Sequence, residues 1–330
     1  MRKIYSQIIV SGVLVLVALA VVFIIFHNRG PQRHITLGAW TQDLFDAKTQ
    51  KLHPEKLTQF EQMIQKKVSI AHYYIGWEAL ADPKLIKQFQ TLRSNGWEPM
   101  LNVNPYYFSQ CPASSVPLYK AIAEGKCDKF LHQAGKNLSK VPQPFYLVFA
   151  WEMNNPENEW SVVHTGSTSQ DFVAAWRHIH TIFQQEKATN VLWVFCPNVP
   201  DISETPYTKL YPGSQYVDWI GLDGYNWGTT QSWSQWASFA GVFTSSYNKI
   251  THIAPTKPLV IAEVNTTNQG GDKGEWYKDA FAQAIPYEFP KIKAVVIFNE
   301  DRKNENVNWK VDISKNSLNS FISAIHTKFY

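Results

Sequence analysis

Two apolar runs, Phe145-Tyr-Leu-Val-Phe-Ala-Trp-Glu152 and Pro258-Leu-Val-Ile-Ala-Glu263, each end in a glutamate. Each run has the length and the β-branched or aromatic content of a strand that is buried on both faces. A carboxylate at the end of such a run gains nothing from burial. The two glutamates therefore indicate a polar site at the carboxyl ends of two buried strands.

Both runs belong to a series of eight candidate strands that alternate with amphipathic stretches. This alternation predicts a parallel sheet whose strands are connected by helices. The predicted strands are Thr36 to Trp40, Val68 to Ile75, Glu98 to Val103, Phe145 to Glu152, Val191 to Pro197, Val217 to Asp223, Pro258 to Val264 and Lys293 to Phe298. The predicted helices are Pro54 to Lys67, Pro83 to Asn95, Ser169 to Glu186, Trp233 to Lys249, Lys273 to Ala284 and Ser317 to Phe329.

Eight strands with helical connections over roughly 300 residues predict a (β/α)8 barrel, the TIM barrel of the α/β class. An open doubly wound sheet shows the same alternation. However, the sequence contains neither Gly-x-Gly-x-x-Gly nor the P-loop pattern, the usual nucleotide-binding signatures of open sheets. Catalytic groups of a (β/α)8 barrel lie at the carboxyl ends of its strands, and Glu152 and Glu263 end predicted strands four and seven.

The N-terminal stretch from Ile8 to Phe26 contains 19 residues and no ionisable side chain. It is long enough to span a bilayer as a helix. Its small-residue sequence Ala18-Leu-Ala20 lies inside the apolar run, whereas a signal peptide is cleaved after that run. We therefore expect residues 1–34 to form an uncleaved membrane anchor and linker, and residues 35–330 to form one extracytoplasmic domain, periplasmic or extracellular. The alternative is a cleaved signal peptide and a secreted domain.

Charge and cysteine content exclude several classes of function. Of the 31 Lys and Arg residues, four flank the apolar segment, and the remaining 27 balance 27 Asp and Glu residues. A neutral domain lacks the positive field that attracts nucleic acid, so we expect no such partner. Cys111 and Cys127 can pair in an oxidising compartment or stay free. No zinc-type Cys and His spacing and no EF-hand loop is present, so we expect no metal and no cofactor.

The two glutamates match the chemistry of glycoside hydrolysis. One carboxylic acid must protonate the leaving oxygen, while a second carboxylate attacks the anomeric carbon or activates water. We expect apolar surroundings beside Trp151 to keep Glu152 protonated and a hydrogen bond from Tyr225 to keep Glu263 ionised. A single strand-end glutamate is often only a salt-bridge or helix-cap partner, so it is the pair that favours catalysis.

Candidate substrate-binding residues are aromatic or polar side chains at or beyond the predicted strand ends. Aromatic rings pack against the C–H faces of sugars, and carboxylates and amides bond their hydroxyl groups. The candidates are Trp40, Tyr106, Trp151, Asn154, Trp160, Asp223 and Trp227.

Four motifs make the sequence resemble glycoside hydrolase family 26, a family of retaining barrel enzymes that includes β-mannanases and some β-glucanases. They are Phe149-Ala-Trp-Glu-Met-Asn154, Trp193-Val-Phe-Cys-Pro-Asn198, Tyr211-Pro-Gly-Ser-Gln-Tyr-Val-Asp-Trp-Ile-Gly-Leu-Asp-Gly-Tyr225 and Ile261-Ala-Glu263. The resemblance covers most of residues 35–328. It implies that Glu152 is the acid/base, Glu263 the nucleophile and Tyr225 the tyrosine that supports the nucleophile.

The sequence departs from this family at two positions near Glu152. The family commonly has His immediately before the acid/base and Arg four residues before it, where this chain has Trp151 and Val148. The overall prediction is a membrane-anchored retaining endo-β-glycosidase that hydrolyses a β-linked polysaccharide, either β-glucan or β-mannan. The alternative is a non-catalytic barrel, anchored in the membrane, that binds polysaccharide without cleaving it.

Overall fold

The computed structural model describes residues 33–330 apart from residues 47, 113 and 114. Eight parallel strands follow one another around a closed barrel, and the first strand also pairs with the eighth. The strands are β1 (Thr36–Thr41), β2 (Ile70–Gly76), β3 (Glu98–Asn104), β4 (Phe145–Phe149), β5 (Val191–Phe195), β6 (Trp219–Asn226), β7 (Leu259–Thr266) and β8 (Ile292–Asn299). The predicted (β/α)8 barrel is confirmed.

Helices connect the strands around the outside of the barrel. They are α1 (Pro54–Ile64), α2 (Lys84–Ser94), α3 (Leu118–Ala123), α4 (Asp128–Leu138), α5 (Ser169–Gln185), α6 (Tyr207–Leu210), α7 (Phe239–Ile253), α8 (Lys273–Tyr277) and α9 (Lys315–Ile325). A π-helical segment, Lys278–Glu288, continues α8. The helix predicted from Trp233 begins instead at Phe239, because the Ser238 hydroxyl accepts a hydrogen bond from the Gly241 N–H and caps the helix there.

The interior of the barrel is filled by a compact apolar layer contributed by the strands. Its members are Ile70, Met100, Val148, Val194, Cys196, Val260, Ala262, Ala294 and Val296. Large aromatic side chains lie instead between the strands and the outer helices, where Trp176, Trp193 and Phe183 are completely buried. This division leaves the carboxyl end of the barrel as the place where polar side chains can converge.

A strained turn follows β4 and carries Glu152. The strand ends at Phe149, earlier than predicted, and both Ala150 and Glu152 then have φ +50°, in the left-handed region that residues other than glycine seldom adopt. Two backbone hydrogen bonds stabilise this turn, from the Ala150 N–H to the Val103 carbonyl (2.7 Å) and from the Glu152 N–H to the Cys196 carbonyl (2.8 Å). Strain of this kind persists where the surroundings determine the conformation.

A register shift in β7 places Glu263. The strand extends to Thr266, so Glu263 lies within it and not at its end. Leu222 pairs with Ile261 and Asp223 pairs with Glu263, which leaves Ala262 as an extra residue on β7. Such a bulge resets the alternation of side chains along a strand. Ala262 therefore packs in the barrel interior while the next side chain, Glu263, also reaches the barrel mouth.

Two sequence predictions concern segments outside the barrel wall. Cys111 and Cys127 form a disulfide with their Cα atoms 4.5 Å apart, and it closes part of the long connection after β3. Among the described residues, no helix is long and apolar enough to span a membrane. The predicted anchor, residues 8–26, lies outside the described residues and stays a prediction.

Candidate active site

Glu263 is held at the barrel mouth by three hydrogen-bond donors from three other strands. The Tyr225 hydroxyl on β6 donates to Oε2 at 2.5 Å. The Tyr74 hydroxyl on β2 and the Asn102 amide on β3 donate to Oε1 at 2.6 Å and 3.0 Å. The side chain is only 5% exposed. Because every one of these donors favours the charged form, the surroundings of Glu263 are organised to hold a carboxylate.

Glu152 is partly exposed and is oriented by amides of its own loop. The side chains of Asn155 and Asn158 donate to Glu152 Oε2 at 3.1 Å and 3.3 Å. A carboxylate oxygen of Glu152 lies within 4.8 Å of one of Glu263 and one of Asp223. The structure thus brings together the two glutamates that the sequence singled out.

The two glutamates titrate as a pair. Burial, followed by the negative charge of Glu152, raises the pKa of Glu263 to about 7, while the hydrogen bonds from Tyr225 and Tyr74 act in the opposite direction. Burial also raises the pKa of Glu152, against the effect of its two amide donors. Two neighbouring carboxyl groups of this kind share one proton over a wide pH range.

Two buried titratable groups, Asp223 and His72, lie near this pair, and burial disfavours the charge on each. Asp223 is fully buried, and its Oδ1 accepts a hydrogen bond from the Cys196 thiol at 3.3 Å. Burial, together with the charges of Glu263 and Glu152, raises the pKa of Asp223 well above its usual range. Burial also lowers the pKa of His72 to about 4. Burial therefore disfavours the charged form of both Asp223 and His72.

Three candidate substrate-binding residues line one wall of the site with Tyr74. The Trp40 indole donates to Glu300 at 2.9 Å, and its ring meets the Tyr74 ring edge-on at 5.0 Å. Trp151 lies between Tyr74, at 5.2 Å, and Trp160, at 4.1 Å. The Trp160 indole donates to the Trp151 carbonyl at 2.6 Å. Trp40 is only 9% exposed, so little of its surface is left for a substrate. Its ring instead packs against Tyr74, which donates to Glu263.

A cavity of about 490 Å³ opens between the loops that follow β3 and β4. Its volume is within the usual range for small-ligand sites. Tyr106, another candidate, is 37% exposed and hydrogen-bonds Glu78. The lining includes Asn104, Tyr106, Tyr107, Glu159, Trp160 and Thr165. This mixture of aromatic faces and polar groups suits a sugar.

The remaining candidates fall in two different places. Trp227 is partly exposed and packs against Tyr225 and Trp309, with ring centroids 6.2 Å and 4.9 Å apart. Asn154 lies behind the site wall, where its amide exchanges hydrogen bonds with the backbone of Asn198 and donates to the Pro200 carbonyl. Asn154 is 1% exposed and Asp223 0%. Neither side chain therefore lies on a surface that a substrate can reach.

Four residues that contact the site were not identified from the sequence. Tyr74 and Asn102 lie near the carboxyl ends of predicted strands two and three, so the argument applied to Glu152 would have found them. Arg302 and Trp309 lie in the loop after β8, which has no pattern of its own. Arg302 covers one face of Phe298 at 4.8 Å, and its positive charge lowers the pKa of both glutamates.

Glu152, Asp223 and Glu263 are also the described residues whose oxygens approach closely enough to hold a metal ion. Four of the six carboxylate oxygens of these residues already accept hydrogen bonds from protein donors, Glu152 Oε2 among them. This arrangement serves a carboxylate pair without a metal, and the expectation of a metal-free site stays a prediction.

Comparison with known proteins finds similarity to glycoside hydrolases. The sequence model of glycosyl hydrolase family 26 matches residues 159–288, which include Tyr225 and Glu263. Endoglucanase H of Acetivibrio thermocellus is 31% identical over 271 residues, covering 81% of this chain and 28% of that protein. Mannan endo-1,4-beta-mannosidase A and B of Caldalkalibacillus mannanilyticus is 28% identical over 130 residues, covering 39% of this chain and 22% of that protein. This chain spans less than a third of either relative.

Solved structures share the fold at lower identity. The catalytic domain of a family 26 endo-β-1,4-mannanase from Bacillus sp. JAMB-750 has a TM-score of 0.67 at 17% identity, covering 90% of this chain and 87% of that chain. A family 26 β-mannanase from Bacteroides ovatus has a TM-score of 0.65 at 14% identity, covering 90% of each chain. At these identities the likeness establishes the fold. The family resemblance found in the sequence is confirmed.

Replacing Asp223 with Asn tests whether the pKa of the buried Asp223 carboxyl is raised in the folded protein. The unfolded carboxyl ionises near pH 4, whereas the folded one stays protonated to much higher pH, so wild-type protein loses stability as the pH rises from about 4 towards 7. Asp223→Asn cannot ionise and should lose less unfolding free energy over this interval. Urea unfolding at both pH values measures this, with the exposed Asp279→Asn as the matched control. An identical pH dependence for Asp223→Asn and wild type would show that Asp223 is charged in the folded chain.

Proposed function

Because the chain belongs to glycosyl hydrolase family 26, we propose that it is a retaining endo-β-glycosidase that hydrolyses a β-linked polysaccharide. The observation that carries this proposal is the approach of Glu152 and Glu263, whose nearest oxygens lie within 4.8 Å. Retaining glycosidases hold their two carboxyl groups about 5–5.5 Å apart, while inverting enzymes leave about 6.5–9.5 Å for a water molecule. The short separation favours direct attack by one carboxylate.

Glu263 is the nucleophile in this proposal. It has three donors that favour its ionised form, whereas Glu152 has two amides on its own loop. The reaction requires the shared proton on Glu152 and the charge on Glu263, and the three donors to Glu263 favour that distribution against the burial that raises its pKa. Glu263 attacks the anomeric carbon as the glycosidic bond breaks, and Glu152 gives its proton to the departing oxygen.

The second step reverses the roles of proton donor and acceptor. Once Glu263 is esterified it carries no charge, so Glu152 can ionise without repulsion from its neighbour. Glu152 then takes a proton from water, and the resulting hydroxyl attacks the anomeric carbon and releases Glu263 as a carboxylate. Both steps invert that carbon, so the product keeps the configuration of the substrate.

We propose β-glucan as the substrate class and β-mannan as the second candidate. The relative that matches 81% of this chain is called an endoglucanase, and another relative is called a mannosidase. Val148 packs in the apolar interior of the barrel and Trp151 packs between two rings. Trp151 therefore offers the sugar beside Glu152 an apolar surface where the family commonly has His, whereas Val148 is 0% exposed and offers it no polar group where the family commonly has Arg.

We also propose that residues 8–26 anchor the chain in a membrane, with the barrel outside the cytoplasm. Arg33 donates hydrogen bonds to the carbonyls of Phe289 and Ile292, at 2.5 Å and 2.7 Å, at the start of β8. The chain before Arg33 is therefore attached at the end of the barrel opposite the two glutamates. The disulfide suits an oxidising compartment. Recovery of the full chain in a soluble cytoplasmic fraction would contradict this proposal.

Glu152 and Glu263 should fail in different ways when replaced by Ala. Glu152→Ala should still form the glycosyl-enzyme from aryl β-glycosides with acidic phenols, because such leaving groups depart without a proton, but should then hydrolyse it slowly. Azide should restore its turnover by replacing the water that Glu152 activates. Glu263→Ala should be inactive on every substrate, since no covalent intermediate can form. Steady-state kinetics on an aryl β-glycoside and on mixed-linkage β-glucan measure this difference.

The exposed Glu275→Ala on the outer surface is the matched control for these variants. Equal losses on both substrates for Glu152→Ala, with no azide effect, would remove Glu152 from the acid/base role. A wild-type chain that binds polysaccharide but never cleaves it would support the non-catalytic barrel. Activity that disappears with chelator and returns with a divalent cation would contradict the metal-free mechanism.

Tyr74→Phe and Tyr225→Phe should each move the acidic limb of kcat/KM to higher pH. Each phenol lowers the pKa of Glu263 by donating to its carboxylate, so its removal raises that pKa, and the nucleophile must be ionised to react. Turnover by Tyr225→Phe should fall by about 10- to 1000-fold, the range for one preorganised donor. Tyr211→Phe is the control, because the Tyr211 phenol shares a hydrogen bond with the Ser214 hydroxyl at 3.3 Å and not with Glu263. An acidic limb identical to that of wild type in both variants would show that these phenols do not act on Glu263.

A further inference from the structure

Trp233 is 69% exposed, although it lies in the loop between β6 and α7 near the carboxylate pair. An indole contributes most to folding when it is buried, so its exposure forgoes that stabilisation. Single exposed apolar side chains are common on protein surfaces. Two features distinguish Trp233 from such a side chain: a row of rings connects it to Glu263, and hydrogen bonds fix the loop that holds it.

A continuous row of aromatic rings leads from the carboxylate pair to Trp233. The Tyr225 hydroxyl donates to Glu263, and the Tyr225 ring lies 6.2 Å from the ring of Trp227. Trp227 meets Trp233 edge-on at 5.5 Å and Trp309 at 4.9 Å. Trp233 is thus two ring-to-ring steps from the residue that supports the nucleophile.

The loop that carries Trp233 is fixed by hydrogen bonds to neighbouring loops. Gly228 has φ +52°, and a Cβ atom there would lie 1.9 Å from the carbonyl oxygen of Gln269, so only glycine fits. The Ser234 hydroxyl donates to the Gly228 carbonyl at 2.8 Å. The Gln231 amide donates at 2.8 Å to the carbonyl of Glu305, in the loop after β8. A ring that is already in place loses little conformational entropy when a ligand covers it.

We propose that Trp233 forms a distal sugar-binding subsite, on which a pyranose unit of the bound polysaccharide stacks some distance from the bond that is cleaved. The ligand is a β-linked polysaccharide chain, because the C–H face of a pyranose matches an exposed indole face and only a chain of several sugars can reach both sites. The inference rests on the proposed function and extends it by naming where the polysaccharide lies. In this proposal the polysaccharide runs from the two glutamates past Trp227 to Trp233.

This subsite makes substrate length matter. A short substrate occupies only the positions beside the two glutamates, so Trp233 contributes nothing to its turnover. A polymer gains the additional stacking contact, which should appear in KM and in binding. Trp233→Ala in the full-length chain should bind polysaccharide about 5- to 30-fold more weakly, the range expected for one aromatic contact.

The test compares four full-length proteins: wild type, Trp233→Ala, Trp233→Tyr and Tyr287→Ala. Tyr287 is 63% exposed and lies in the π-helical segment that precedes β8, at the opposite end of the barrel. It is therefore a matched control for loss of an exposed ring. Binding is measured by affinity electrophoresis in gels that contain mixed-linkage β-glucan or β-1,4-mannan. Turnover is measured on the same polymers and on an aryl β-glycoside, and thermal melting checks the fold.

Trp233→Ala should be less retarded than wild type in the gel that retards wild type, and its KM for that polymer should rise. Its kcat on the aryl glycoside and its melting temperature should not change, Trp233→Tyr should be intermediate, and Tyr287→Ala should match wild type. Retardation of Trp233→Ala equal to that of wild type would overturn the subsite, and so would a wild type that neither gel retards. If neither gel retards the wild type, a protein partner at Trp233 becomes the favoured alternative. Retardation without hydrolysis would defeat the proposed glycosidase activity and leave the subsite standing.

Discussion

Repulsion among closely spaced carboxyl groups is the constraint on which this site depends. Glu152, Asp223 and Glu263 bring oxygens within 4.8 Å of one another in a site that is largely removed from water. Negative charges at this distance repel strongly where the dielectric constant is low, so the three groups cannot all ionise. Burial disfavours the charge on Asp223, the two glutamates share one proton, and the donors gathered around Glu263 favour the charge on that glutamate.

The fold supplies this arrangement through two local departures from regular strand geometry. The left-handed turn at Ala150 and Glu152 directs the acid/base candidate across the barrel mouth, and the extra residue Ala262 turns the nucleophile candidate inward. Both features are bound into the sheet by its own hydrogen bonds, so the closed barrel stabilises them. The surrounding strands then contribute Tyr74, Asn102 and Tyr225 from positions far apart in the sequence.

Much of this was predictable from the sequence, and what was missed has physical reasons. The strands alternate with helices and end in polar residues, so the barrel and the pair Glu152 and Glu263 could be found from local patterns. Asn154 was expected to face the substrate, but its direction depends on the backbone of the neighbouring loop, which no local pattern encodes. Arg302 and Trp233 lie in loops whose conformations depend on contacts between loops, so their positions became visible only in three dimensions.

Trapping the covalent intermediate tests most directly whether Glu263 is the nucleophile. The full-length chain would be incubated with 2,4-dinitrophenyl 2-deoxy-2-fluoro-β-glycosides of cellobiose and mannobiose, which form the glycosyl-enzyme rapidly and hydrolyse it slowly. Peptide mass spectrometry then locates the attached sugar. We expect one sugar per chain, joined to Glu263. A sugar attached to Glu152 or another residue would contradict the role of Glu263 as nucleophile, and so would rapid hydrolysis of natural substrate to the inverted anomer without any labelling.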